Sequence, residues 1–161
     1  MKTAVVYYSL TGNTEYVSKE LKERLNADLL RLEPQKTYPD KGFSKFLWGG
    51  KSAVMAEKPL LIPYEFHAEE YDRIIFGFPV WASRFAPPLR TFIEENRSSI
   101  AGKHFAVFAC QSGGGAEKAI DRLKKELQIE ALDAEMVLID PADKPNPGNA
   151  ALIEDFCGKL S

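Results

Sequence analysis

A chain of 161 residues, 45% of them hydrophobic, is long enough to bury a sizeable core and too short to divide comfortably into two domains. Its 21 basic residues are scattered among 23 acidic ones and its only cysteines are Cys110 and Cys157, which argues against a nucleic-acid binder and a disulfide framework. No stretch reaches the roughly 18 consecutive apolar residues of a membrane span, and the apolar run after Lys2 is cut off by TGNTE, so neither a span nor a signal peptide is expected and the cytoplasm is the expected location.

TAVVYY at 3–8 is β-branched and aromatic, the composition of a strand buried on both faces. From Asn13 the period changes: Val17, Leu21 and Leu25 recur at helical spacing, with Glu15, Lys19, Glu20 and Lys22 opposite them. Further strands are expected at 28–34, 73–79, 104–110 and 135–140, and helices at 87–98, 116–127 and 149–160. Strands alternating with helices imply parallel pairing, with both faces of the sheet covered. The expected organisation is one α/β domain over 1–161 with an extended excursion at 34–71. Phe43, Phe46 and Leu47 sit at helical spacing within that excursion, Gly49 and Gly50 interrupt it, and Trp48 either caps a site or pins the segment down. An excursion of this length is expected to form the rim of a site.

Ligands of open parallel sheets sit beyond the carboxyl ends of the strands, where the strand order switches. Three segments leave such ends: SLTGNT at 9–14, FPVWASRFAPP at 78–88 and CQSGGG at 110–115. The first places Ser9, Thr11, Asn13 and Thr14 at the start of a helix, where hydroxyls and backbone amides converge on one anion. It has neither the GK[ST] of a triphosphate loop nor the GxGxxG of a dinucleotide fold, so a monophosphate fits best. An ordinary capping turn by Thr11 or Asn13 explains the same residues. The other loops favour a ligand: Trp81 and Phe85 read as exposed, and Gly113, Gly114 and Gly115 let backbone approach something closely. A planar aromatic molecule bearing one phosphate uses all three loops.

SLTGNT resembles the [ST]xTGNT loop of the flavodoxin family, and the resemblance extends over nearly the whole chain. It implies a flavodoxin-like, three-layer doubly wound sandwich with a five-stranded parallel sheet in the order 2-1-3-4-5, and FMN as cofactor. By that resemblance Ser9, Thr11, Asn13 and Thr14 hold the phosphate together with amides near Leu10 and Gly12, and Trp81 stacks on the isoalloxazine. Pro79, Val80, Ala82, Ser83, Arg84 and Phe85 form the rest of the second loop. The backbone of Gln111, Ser112, Gly113, Gly114 and Gly115 meets the pyrimidine edge, and Cys110 either lies near the flavin or is a small buried filler. Phospho-receiver domains share the architecture but need an acidic cluster after the first strand, and low-molecular-weight phosphatases need CxxxxxR; neither is present.

FMN carries the redox chemistry in such a protein, so no catalytic acid, base or nucleophile and no metal ligand is nominated. His67 and His104 read as rim or surface residues, and Arg84 either as solvated or as an attractor of a charged donor. Two departures from the family bear on function. Flavodoxins are generally strongly acidic, whereas this chain carries a formal charge of −2, and CQSGGG has no aromatic for the outer flavin face. A glycine in the second loop commonly permits a peptide flip that favours the one-electron reduced cofactor; VWASRF has none, and positive φ without glycine costs about 1 kcal/mol or more. Little of that one-electron form is expected. The sequence is therefore expected to specify a cytoplasmic electron carrier serving a redox partner protein, or a reductase passing electrons from NAD(P)H to a small acceptor such as a quinone.

Overall fold

In the computed structural model, which describes residues 1–38 and 57–161, strands and helices alternate along the chain. Strand β1 (Thr3–Tyr7) leads to α1 (Asn13–Leu25) and β2 (Asp28–Arg31). A short 3-10 turn (Ala68–Glu70) precedes β3 (Arg73–Pro79), α2 (Pro87–Ile100) and β4 (His104–Gln111). Then follow α3 (Ala116–Leu127), β5 (Ala134–Ile139) and α4 (Gly148–Leu160). The five strands form one parallel sheet in the order β2-β1-β3-β4-β5, as the resemblance implies.

Both sheet faces are apolar because alternate residues of the central strands are apolar on both sides. Val6, Ile74, Phe76, Phe78 and Val107 pack against Leu89, Phe92 and Ile93 of α2 and Ala119, Ile120 and Leu123 of α3. Val5, Ile75, Ala106 and Phe108 face Val17 and Leu21 of α1 and Ile153 and Phe156 of α4. The prolines that open α2 suit its first turn, where a backbone N–H has no intrahelical partner.

β2 is shorter than its apolar pattern suggests. The Leu32 N–H still bonds to the Tyr7 carbonyl at 2.8 Å, after which the chain leaves the sheet for an antiparallel bridge between Pro34 and Leu61. The Gln35 N–H donates to Leu60 O at 2.8 Å and the Ile62 N–H to Glu33 O at 2.7 Å, closing the base of the excursion. Tyr38 packs edge-on against Tyr8 and Trp81. Phe43, Phe46, Leu47, Trp48, Gly49 and Gly50 lie outside the described residues.

The crossing from β1 out to β2 and back to β3 makes the switch in strand order, and the chain diverges there on either side of a crevice. Close packing beside it is tight. A Cβ on Gly77 would stand 2.1 Å from Cζ of the fully buried Phe108 ring, its register partner in β4. Gly77→Ala is expected to destabilise the fold by about 1–3 kcal/mol, the usual scale of overpacking, read as a lower urea midpoint at unchanged slope.

Candidate functional site

Beyond the carboxyl ends of β1, β3, β4 and β5 lies a cleft of about 260 Å³. Its first wall is the loop before α1, from which Ser9, Leu10, Thr11, Asn13 and Thr14 line it. Gly12 takes φ +105°, a left-handed turn open to glycine at no steric cost, and aims the first helical turn at the cleft. No side chain caps α1 at its N-cap residue. Among the described residues, the N–H groups of residues 10–14 have no acceptor, while the Glu15 N–H donates to Ser9 Oγ at 3.1 Å. Ser9 thereby keeps its hydroxyl proton free to donate outward. The turn thus offers a row of uncommitted donors at the positive end of a helix dipole.

Arg31 of β2 secures this loop from behind. It donates to the Ser9 carbonyl at 3.0 Å, and its charge is matched by Glu15 at 3.1 Å and Glu33 at 2.9 Å. Asn13 does something other than the sequence suggests. Its Oδ1 accepts from the N–H of Ala142 at 2.8 Å and of Asp143 at 3.1 Å, and its Nδ2 donates to the Asp143 carboxylate at 3.2 Å. The side chain is committed to the loop after β5, so at Asn13 the backbone N–H, not the amide, is left uncommitted.

That loop was not among the three expected to form the site. Asp140, at its start, is buried and lines the cleft; its Oδ1 accepts from Ser112 Oγ at 2.8 Å, and its φ is +39°. The one available signal was an acid directly after the last strand.

The second wall is Pro79, Val80, Trp81 and Ala82. Trp81, expected to be exposed, is 8% exposed and packs edge-on against Tyr8 at 5.7 Å and Tyr38 at 5.2 Å between ring centres. Phe85, also expected to be exposed, is 3% exposed, against Phe78 in the core, and does not line the cleft. Both corrections have one cause. Residues 81–84 close a two-residue hairpin, with Trp81 N–H to Arg84 O at 3.0 Å and Arg84 N–H to Trp81 O at 2.9 Å. The turn reverses the chain and carries both rings inward. Ala82 and Ser83 sit at its tip with φ of +49° and +59°, the left-handed pair such hairpins demand, here without glycine or asparagine.

The third wall is Cys110, Ser112, Gly113 and Gly114. Gly113 and Gly114 have nothing within 4 Å of a notional Cβ, so the chain's own packing does not require glycine there, whereas a Cβ on Gly115 would lie 2.9 Å from the Ser83 Cα. Gly115 therefore joins the third loop to the hairpin tip and does not line the cleft. Gln111 also points away, capping α3 by accepting from the Ala116 N–H at 3.1 Å. Ser83 and Arg84 lie outside the cleft lining too. Burial pushes the Cys110 thiol up to about 12, with the Thr14 hydroxyl pulling weakly the other way, so the sulfur stays protonated and acts as an apolar surface. His104 stands at the opposite end of the sheet, 3.1 Å from Asp133.

A doubly wound parallel sheet with helix-head donors at its β1/β3 switch is the arrangement in which α/β proteins hold ligands beyond the carboxyl ends of their strands. The profile of one family, described as flavodoxin, matches residues 2–142. The chain belongs to the flavodoxin family, whose cofactor is FMN. Among solved structures it is similar to a Lactobacillus acidophilus flavoprotein determined in complex with FMN, at 18% identity over 88% of this chain and 95% of that one, TM-score 0.70. A protein of Bacteroides uniformis provisionally called a flavoprotein matches at 25% identity over 86% and 90%, TM-score 0.70. Megasphaera elsdenii flavodoxin in its two-electron reduced form matches at 17% over 98% and 96%, TM-score 0.61.

The strained tip gives a direct check. Ala82 is exposed and holds a left-handed φ, so Ala82→Gly is expected to raise stability by about 1 kcal/mol through relief of backbone strain, measured by urea denaturation of the flavin-free protein.

Proposed function

We propose that this chain binds FMN in the cleft at the β1/β3 switch and works as an electron-transfer protein in the cytoplasm. The observation that carries the reading is the row of N–H groups at residues 10–14 with no acceptor among the described residues, at the head of α1. Burying such donors without partners costs roughly 1–3 kcal/mol each, and a phosphate dianion satisfies several at once. Ser9, Thr11 and Thr14 add hydroxyl groups at the lining of the same cleft. Asn13 holds the turn in place through Ala142 and Asp143. No cation is needed, because the helix dipole and neutral donors spread the compensating charge.

When bound, FMN supplies reversible one- and two-electron redox chemistry. The chain contributes position and electrostatics. Val80, Trp81 and Ala82 form a fixed wall for one side of the ring system, and the amides near Gly113 and Gly114 meet its polar edge. Asp140 sets an acceptor beside Ser112, suited to hydroxyls of the ribityl chain. No helix among the described residues is long and apolar enough to cross a membrane.

One observation favours the reductase as a second reading. Ser112, Gly113 and Gly114 are exposed and carry no aromatic, which leaves a flank on which a nicotinamide or quinone fits. NADPH oxidation with menadione separates the two: turnover by the isolated FMN-loaded protein makes it an enzyme, and dependence on an added reductase makes it a carrier.

The cradle itself is tested by comparing FMN with riboflavin. Thr11→Val is expected to weaken FMN binding about tenfold, the scale of one lost hydrogen bond to a charged group, and to leave riboflavin affinity unchanged. Flavin fluorescence quenching reads both. Equal affinity of the native protein for FMN and riboflavin rules the cradle out.

A further inference from the structure

The two edges of the sheet are protected to different degrees. β2 is four residues long and begins and ends on charges, Asp28 and Arg31, and its continuation at 33–35 is covered by the antiparallel partner at 60–62. β5 is six residues long and pairs with β4 alone. The Asp140 N–H donates to Gln111 O at 3.1 Å, so the even-numbered residues of β5 direct their backbone groups to β4. Those of Glu135, Val137 and Ile139 therefore point out of the sheet, and among the described residues they have no partner. Prolines, outward lysines and bulges blunt such edges in natural proteins. AEMVLI has neither proline nor lysine, and its register with β4 runs without a skip.

The surface beside this edge is apolar. Ile139 is 57% exposed and Leu152 of α4 is 46% exposed, and both line a groove of about 580 Å³ together with Val137, Leu138 and Lys144. Lys144 is the one charged residue lining it; its side chain is 79% exposed and stands 3.8 Å from Asp140, a long ion pair. Glu135, also exposed, lies toward the other end of the strand. An open edge with a carboxylate near one end and a cation at the other is complementary to itself. A two-fold axis through Val137 sets Glu135 of one copy opposite Ile139 of the second, at the groove that holds the second copy's Lys144, and repeats the match at the other end. Facing residues then exchange N–H···O bonds in antiparallel fashion. Parallel pairing sets Glu135 against Glu135 and Lys144 against Lys144, so the charges select the antiparallel arrangement.

We propose that β5 is the interface of a symmetric homodimer, in which two copies of the chain pair edge to edge into one continuous sheet and cover each other's Ile139 and Leu152. The two-fold reverses the strand direction, so the clefts beyond the carboxyl ends of the strands open at opposite ends of the dimer. The proposal goes beyond the FMN reading and does not depend on it. Sedimentation equilibrium of the full chain, with and without added FMN, tests it together with amide hydrogen exchange at rising protein concentration. The mass is expected to climb from 18.0 kDa toward twice that value through the micromolar range, with exchange slowing at Glu135, Val137 and Ile139. Ile139→Lys, at an exposed position, is expected to weaken the dimer about tenfold or more. Glu135→Lys and Lys144→Glu each bring like charges together and are expected to weaken it by about threefold to tenfold, and the double exchange to restore it. Within one copy the two side chains form no bond among the described residues, so that rescue reports contact between copies. A monomer up to the millimolar range, open-ended assemblies larger than a dimer, a dimer indifferent to these substitutions, or a double exchange that restores nothing overturns the proposal. Failure to bind flavin overturns the FMN reading alone, because the mass is read in both conditions.

Discussion

Helix α1 begins with backbone donors that none of the described residues satisfies, and the rest of the site is arranged around that deficit. A helix always exposes such groups at its head. Here a left-handed Gly12 turns them into the crevice where β1 and β3 part company, and no side chain folds over them at the N-cap. The surrounding bonds keep the turn rigid instead. Arg31 grips the Ser9 carbonyl from the edge strand, and Asn13 clasps the loop after β5 from the other side. The charge of Arg31 is thus matched within the protein by Glu15 and Glu33, and the donors of the turn are left as neutral dipoles.

The second and third loops depend on each other. The hairpin at 81–84 holds two residues in a conformation disfavoured by about 1–2 kcal/mol each, which persists only where the surroundings over-determine it. They do so here: Arg122 bonds to Ser83, Gly115 presses against it, and Trp81 is wedged between Tyr8 and Tyr38. This wall is consequently a fixed one, and two glycine-like backbone geometries have been reached without glycine.

Most of the fold was legible because short apolar runs, rich in β-branched and aromatic residues, alternate along the chain with stretches of helical period, and SLTGNT was legible because glycine, hydroxyls and helix start coincide in one short run. What escaped detection depended on partners distant in sequence. Trp81 and Phe85 looked exposed because their neighbours are polar, yet a hairpin formed without glycine or asparagine turned them inward. Asn13 looked like a ligand contact, and only the arrival of Ala142 and Asp143, 129 and 130 residues away, shows where its amide is spent. Arg31 and Arg122 have no local pattern at all, and Asp140 has only its place directly after the last strand; each matters through a bond to another loop.

The antiparallel bridge between Pro34 and Leu61 ties off the excursion at its neck. A stretch fastened in this way behaves as a bight in a rope. Its contour can be lengthened, shortened or rewritten over evolutionary time while the knot stays put, because entropy of closure grows only slowly with length. Changes in the length of that stretch therefore cost little closure entropy as long as the bridge at its neck is kept.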